Sequence, residues 1–172
     1  MDLSSAGVEL IKHWERLRLI AYPDPATNGA PWTIGWGHTG DVRPGDTITQ
    51  AEAERLFRSD VAETVVAVNM LIDNAKVPQH EFNALVSFAF NVGPDIDDDL
   101  LPEGLGDSTL LRLYRAGDVK GAAAEFMKWN RAGKPRRPML GLTRRRVAEQ
   151  AMFLGRDWHM ALAAFDSDER IA

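Results

Sequence analysis

WERLRLIAYPDP, residues 14–25, is the stretch on which the reading of this chain turns. It joins the end of an amphipathic run to a proline-flanked turn, and it carries two carboxylates, Glu15 and Asp24, nine positions apart. Upstream, Val8, Ile11 and Trp14 recur at helical spacing, with Glu9, Lys12 and His13 off that stripe. Ser4 or Ser5 can cap the first free N–H groups of this helix. Its end is expected between Glu15 and Leu17.

Downstream the character changes. Four prolines and five glycines crowd the segment from Leu19 to Ile48, with short strand-like runs, WTIGW and DTIT, between them. This predicts a small, twisted antiparallel sheet, too small to stand alone. Helices follow. Thr49 and Glu52 form the T-x-x-E pattern of a capping box. The helix it opens should run to about Asn74 and bury Leu56, Phe57, Val61, Val65, Val68 and Leu71. Pro78 opens another, whose EFNALVSFAFNVG is apolar nearly all round and reads as the central buried helix. Ser108, Asp118 and Thr143 are expected caps of three more helices, and Gly117 and Gly155 are stop signals.

With 172 residues, 45% of them hydrophobic, the chain can bury a real core in one domain. No cysteine is present, which excludes a disulfide framework and thiolate metal sites. The net charge of −5 argues against nucleic acid as a partner. The charge is uneven: KPRRP and TRRRV are basic, whereas DIDDDLLPEGLGD (95–107) is acidic. That acidic stretch lacks the order and the glycine of a calcium loop, and it reads as a solvated loop. The N-terminal residues show no signal-peptide pattern, and no run reaches the roughly 18 apolar residues of a membrane span. Synthesis in the cytoplasm and no stable membrane insertion are the expectations.

Two carboxylates in unlike settings suit one chemistry in particular. Cleaving a glycosidic bond needs an acid to protonate the leaving oxygen and an ionised carboxylate to direct water or attack the sugar. A Glu ending the Val8/Ile11/Trp14 helix has the apolar setting that keeps an acid neutral. The polar, open turn YPDPATNG suits the ionised partner. Singly, each residue has a plainer reading: a surface Glu, a turn Asp, and a strand Thr in WTIGW.

The ordered set E-x₃-L-x-A-Y-x-D followed by T-I-G-W-G-H resembles the N-terminal signature of the phage-type lysozymes, glycoside hydrolase family 24. ITQAEAERLFRSDV, FNALVSFAFNVG, STLLRLYRAGD, EFMKWNRAG and GLTRRRVAEQAMFL are similar to that family's segments in its order, from about residue 4 to 156. The resemblance implies a lysozyme-like α+β fold. A single domain would hold the first helix (1–16) packed on a helical lobe (49–165), a small antiparallel β lobe (17–48), and a flexible tail (166–172). The active-site cleft would lie between the lobes.

The same resemblance implies an endolysin muramidase acting on peptidoglycan glycan strands, without metal or cofactor. It would be monomeric, made in the host cytoplasm, and dependent on a holin-like pore to reach the wall. A lytic transglycosylase and a non-catalytic wall-binding or virion module are the competing readings. Glu15 matches the family's general acid, Asp24 its second acidic residue, and Thr33 the threonine that helps hold the hydrolytic water. Inversion would then place the two carboxyl groups roughly 6.5–9.5 Å apart. His38 matches a structural ion pair with Asp60, and Arg145 the arginine set against the general acid. Phe90 and Asn91 match substrate-facing positions, with Ser108 and Asn130 as further candidates. Three features depart from the pattern: Arg16 replaces a glycine after the catalytic Glu, PATNGAPW lengthens the loop after Asp24, and the acidic insert follows NVG. With Arg16, either the helix runs on or this residue bears the strain of a left-handed turn.

Overall fold

In the computed structural model, α1 (Ser5–Trp14) gives way at Glu15 to a two-stranded antiparallel sheet, β1 (Arg18–Asp24) and β2 (Gly29–Gly35). The structure describes residues 1–24, 29–96, 103–133 and 135–169, with Asp24 described by its backbone alone. Two compact units result: Ile11–Glu63, and Met1–Leu10 with Thr64–Ala172.

The first unit is built on the β1–β2 pair. Its register sets Arg18 opposite Gly35, Tyr22 opposite Thr33, Pro23 opposite Trp32 and Asp24 opposite Gly29. RLIAYPD is therefore strand rather than turn. Pro23, which has no N–H to donate, stands opposite Trp32 next to a register shift between Pro23 and Asp24, the kind of irregular position where a strand admits proline. DTIT adds only an edge: Thr47 bridges Ile20, and the Ala21 and Ile48 N–H groups donate to Asp46 and Leu19 carbonyls at 2.9 and 3.0 Å. Arg16 resolves differently from either expectation. The helix stops before it, and among the described residues the non-glycine positions with positive φ are Asp41, Asp73, Asn74 and Asp95.

The capping box forms as its spacing requires. The Thr49 N–H donates to Glu52 Oε2 at 2.7 Å, and the Glu52 N–H donates to Thr49 Oγ1 at 3.2 Å. It opens α2 (Gln50–Leu71), which ends three residues short of the expected Asn74. Asp73 and Asn74 turn left-handed there, and the Asn74 N–H donates back to the Asn69 carbonyl at 2.8 Å. The buried stripe of α2 is Ala53, Phe57, Val61, Thr64, Ala67 and Val68, continuing to Ile72 past its end. Leu56, Val65 and Leu71, expected in that stripe, sit at its half-buried margins.

In the second unit α3 (Gln79–Val92) is buried continuously from Glu81 to Ala89. Around it run α4 (Thr109–Arg115), α5 (Val119–Glu125) with a 3₁₀ turn to Lys128, the hairpin β3 (Arg131–Ala132) and β4 (Arg137–Pro138), α6 (Leu140–Phe153) and α7 (Trp158–Glu169). Phe88 meets Phe126 and Trp129 edge-on at 5.3 and 5.4 Å between ring centroids, and Phe126 meets Phe153 at 5.3 Å. Each such fully buried ring contributes about 1.5–3 kcal/mol by area alone.

Ser108 and Asp118 cap α4 and α5, accepting from the Leu111 and Gly121 N–H groups at 3.0 and 2.8 Å. Thr143 does not cap α6. The helix starts earlier, after Met139, and Thr143 Oγ1 donates to the Met139 carbonyl from within the first turn. Asp95 closes the described ends of the acidic loop by accepting the Gly104 and Glu103 N–H groups at 3.0 and 3.2 Å; residues 97–102 lie outside the described residues. Residues 166–169 of the expected tail are helical, in α7.

Candidate active site

Glu15 sits one residue past α1, its N–H still donating to the Ile11 carbonyl at 3.1 Å. The last helical turn thus fixes its backbone, and its side chain is half-buried. TIGWGH wraps against it. The Ile34 and His38 backbones exchange N–H···O bonds of 2.8 and 2.9 Å, closing a tight loop over Gly35, Trp36 and Gly37. Gly37 takes φ +89°, and a Cβ there would lie 3.3 Å from Glu15 Oε2, a tight contact that the carboxylate would have to relieve by shifting.

Two contacts brace this arrangement. Lys12 Nζ lies 4.0 Å from the Trp36 ring centroid and bonds both Glu54 carboxylate oxygens at 2.7 Å. This ties the turn of α1 before Glu15 to the loop and to α2. On the other side of the loop, His38 Nδ1 lies 3.0 Å from both Asp60 oxygens. Both His38 ring and Asp60 are engaged with each other, an arrangement that anchors the loop to α2. Thr33 is half-buried on β2, two residues before Gly35 and opposite Tyr22. A concavity of about 840 Å³ is lined by Glu15 and the chain from Trp14 to Tyr22. The side chain of Asp24, and with it the expected carboxyl separation, lies outside what is described.

The other expected residues belong to the helical unit. Asn91, exposed at the end of α3, lines a hollow of about 480 Å³, and its Oδ1 accepts from Arg146 Nη2 at 2.8 Å. Phe90 beside it is half-buried. Ser108 is 1% exposed, and its hydroxyl both donates to the Leu105 carbonyl at 2.6 Å and accepts from Leu111, so it is spent on capping. Asn130 Nδ2 donates to Thr143 Oγ1 at 3.1 Å, bracing the hairpin on α6.

Arg145 is 4% exposed; its Nε lies 3.1 Å from Glu149 Oε1. Glu149 and Arg146 are fully buried, paired Oε2 to Nε at 2.9 Å, and Ser87 Oγ donates to Glu149 Oε1 at 2.8 Å. Burial pushes the Arg146 guanidinium below its ordinary value, Glu149 opposes that, and Arg145 adds to it. The guanidinium also lies 4.9 Å from the Phe88 ring centroid.

Sequence reasoning passed over Lys12, Trp36, Gly37, Glu54, Ser87 and Glu149. For Glu149 there was a signal, since it stands four and three residues after Arg145 and Arg146 on one helix. For the Lys12–Glu54 pair, 42 positions apart, there was none. Among the described residues no group of three or more His, Asp or Glu side chains could hold a metal ion, and no helix is long and apolar enough to cross a membrane.

The phage lysozyme family profile matches residues 12–149. The endolysin of Acyrthosiphon pisum secondary endosymbiont phage 1 is 42% identical over 158 residues, 89% of this chain and 98% of the relative. That of Salmonella phage P22 is 36% identical over 161 residues, 90% and 99% of the two chains. Among solved structures, the muramidase domain of SpmX from Asticaccaulis excentricus is similar with a TM-score of 0.76 at 38% identity, over 89% of this chain and 97% of that one. A P22 lysozyme mutant has a TM-score of 0.69 at 35% identity, over 90% and 99%.

Proposed function

This chain belongs to the phage lysozyme family, and from that premise we propose that it is an endolysin muramidase cutting peptidoglycan at the β-1,4 bond between N-acetylmuramic acid and N-acetylglucosamine. Its fold is the lysozyme-like α+β class of its structural relatives. Glu15 is the general acid that protonates the leaving oxygen. Asp24 is the ionised carboxylate that, with Thr33, directs a water to the opposite face of the sugar, so the product carries inverted configuration. His38 and Asp60 hold the TIGWGH loop and take no proton from substrate. Phe90 and Asn91 contact the glycan. The enzyme works as a monomer, and it reaches the wall from the host cytoplasm through a holin-like pore.

The observation that carries the reading is Glu15 itself. A half-buried carboxyl group, fixed by the last turn of α1 and pressed against a glycine that leaves it space, opens on a concavity of about 840 Å³. A positioned acid of this kind is worth roughly 10²–10⁴ in rate. Purified peptidoglycan digested by the wild type should yield muramic acid reducing ends bearing the elements of water. Glu15→Gln should remove that activity by about 10³-fold. Anhydromuramic ends would instead identify a transglycosylase, and equal binding with no turnover in the wild type a wall-binding module.

A further inference from the structure

Lys12 stands three residues before Glu15, in the last turn of α1. Its Nζ donates to both Glu54 carboxylate oxygens at 2.7 Å. The same atom lies 4.0 Å from the Trp36 ring centroid and 4.8 Å from that of Phe57. Both rings are buried, with their centroids 5.8 Å apart. The lysine side chain is 23% exposed, so its ammonium is largely drawn out of water. A carboxylate and two electron-rich ring faces take the place of that water. A solvated ion pair would hold little, whereas this one is fixed in place by the rings it lies on.

Glu54, Phe57 and Asp60 follow one another at three-residue steps along α2, as neighbours on its surface. Through two of them α2 grips the TIGWGH loop: Phe57 meets Trp36, and Asp60 meets His38 Nδ1 at 3.0 Å. Gly37 lies between these two points, and there an added Cβ would stand 3.3 Å from Glu15 Oε2. The place of the general acid is therefore bounded by the end of α1 and by this loop. Lys12 belongs to α1, yet it touches Trp36 of the loop and Glu54 of α2. All of these residues lie within the unit Ile11–Glu63.

We propose that Lys12 is a positioning residue for the general acid. Its clamped ammonium sets the distance between the last turn of α1 and the Gly37 backbone, and so holds the Glu15 carboxyl group where the glycosidic oxygen is protonated. The proposal rests on the muramidase reading, and Lys12 acts through Trp36 rather than on the substrate. Placement matters to this chemistry, because a shift of about 1 Å costs on the order of a hundredfold in rate. A methionine at this position would still pack on the two rings. It would leave Glu54 to turn into water, and the end of α1 would lose its tie to α2.

The test compares Lys12→Met with the wild type on solubilised peptidoglycan fragments. Its kcat should fall on the order of tenfold while KM stays within about twofold, since the contacts to the glycan are untouched. Lys12→Arg, which keeps the charge and can stack on the rings, should recover most of that loss. Glu54→Gln should lower kcat several-fold at unchanged KM, and it decides the matter if circular dichroism shows Lys12→Met unfolded. Asp166→Asn breaks the 2.7 Å pair with Arg144 in the helical unit and controls for the loss of an ion pair as such; its kcat should not change. Wild-type kcat in the Lys12→Met and Glu54→Gln variants overturns the proposal while the muramidase stands. So does a loss carried wholly by KM, a loss as large in Asp166→Asn, or a Lys12→Arg variant no better than Lys12→Met. Wild-type enzyme that hydrolyses no peptidoglycan overturns the muramidase reading, and this inference with it.

Discussion

Gly37 and Glu15 compete for one space: a Cβ on Gly37 would stand 3.3 Å from Glu15 Oε2 and 3.8 Å from its Cδ. The glycine thus serves the loop, which needs φ +89°, and the carboxylate, which needs the room.

These two requirements can be separated. Gly45 has nearly the same backbone, φ +86°, with nothing within 4 Å of an added Cβ. Gly37→Ala and Gly45→Ala should each lose about 1–2 kcal/mol of stability from the left-handed conformation. Only Gly37→Ala should also lose activity, on the order of tenfold or more, because it displaces the acid. Equal activity in the two variants would mean that the close approach has no catalytic weight.

Asp60→Asn tests the His38 pair. Removing the carboxylate should cost about 1 kcal/mol in a urea titration, as for one partly buried hydrogen bond. The rate at saturating substrate should fall far less than with Glu15→Gln. A hundredfold loss of kcat with unchanged stability would place His38 in the chemistry.

Glu149→Gln leaves two buried guanidinium groups without their shared carboxylate. The expected loss is about 3–5 kcal/mol of folding stability. Because Arg146 holds Asn91, KM for wall should rise as well. A variant as stable as the wild type would show that the cluster contributes no net stability.

The capping box predicts a pH dependence. Backbone and side-chain hydrogen bonds from Thr49 hold the Glu52 carboxyl below its ordinary value. A depressed folded-state value means stability that is fully present above the unfolded value, near 4.3, and is lost as pH falls through the lower folded one. The melting temperature of Glu52→Ala should therefore trail the wild type at pH 7, and the gap should narrow toward pH 3. A gap that stays constant would assign the effect to helix propensity.

Much of this was legible because it is local. Thr49 with Glu52, Ser108 with Leu111, and Asp118 with Gly121 are partners three residues apart, so spacing alone announces them. Gly117 and Gly155 stop helices at φ +80° and +67°, as a missing Cβ allows. The misreadings have physical causes too. Thr143 has cap chemistry, but the hairpin delivers the chain to α6 one turn earlier, with the Met139 N–H donating to the Asn130 carbonyl. YPDPATNG read as an open turn, yet Tyr22, Pro23 and Asp24 pair with the next strand, with a register shift between Pro23 and Asp24.

By itself, then, the sequence determined helices α1 to α6, the capping box and the caps of α4 and α5, the glycine-punctuated loop TIGWGH, and the position of Glu15 at the end of an apolar stripe. These follow from periodicity and from turn chemistry acting over three or four residues. Only the tertiary structure decided that Gly37 faces Glu15, that Lys12 reaches Glu54 and Trp36, and that Ser87 and Glu149 meet across 62 positions. Such contacts depend on which faces pack together, and a buried carboxylate looks in sequence like any solvated one. Burial, not residue type, makes the difference.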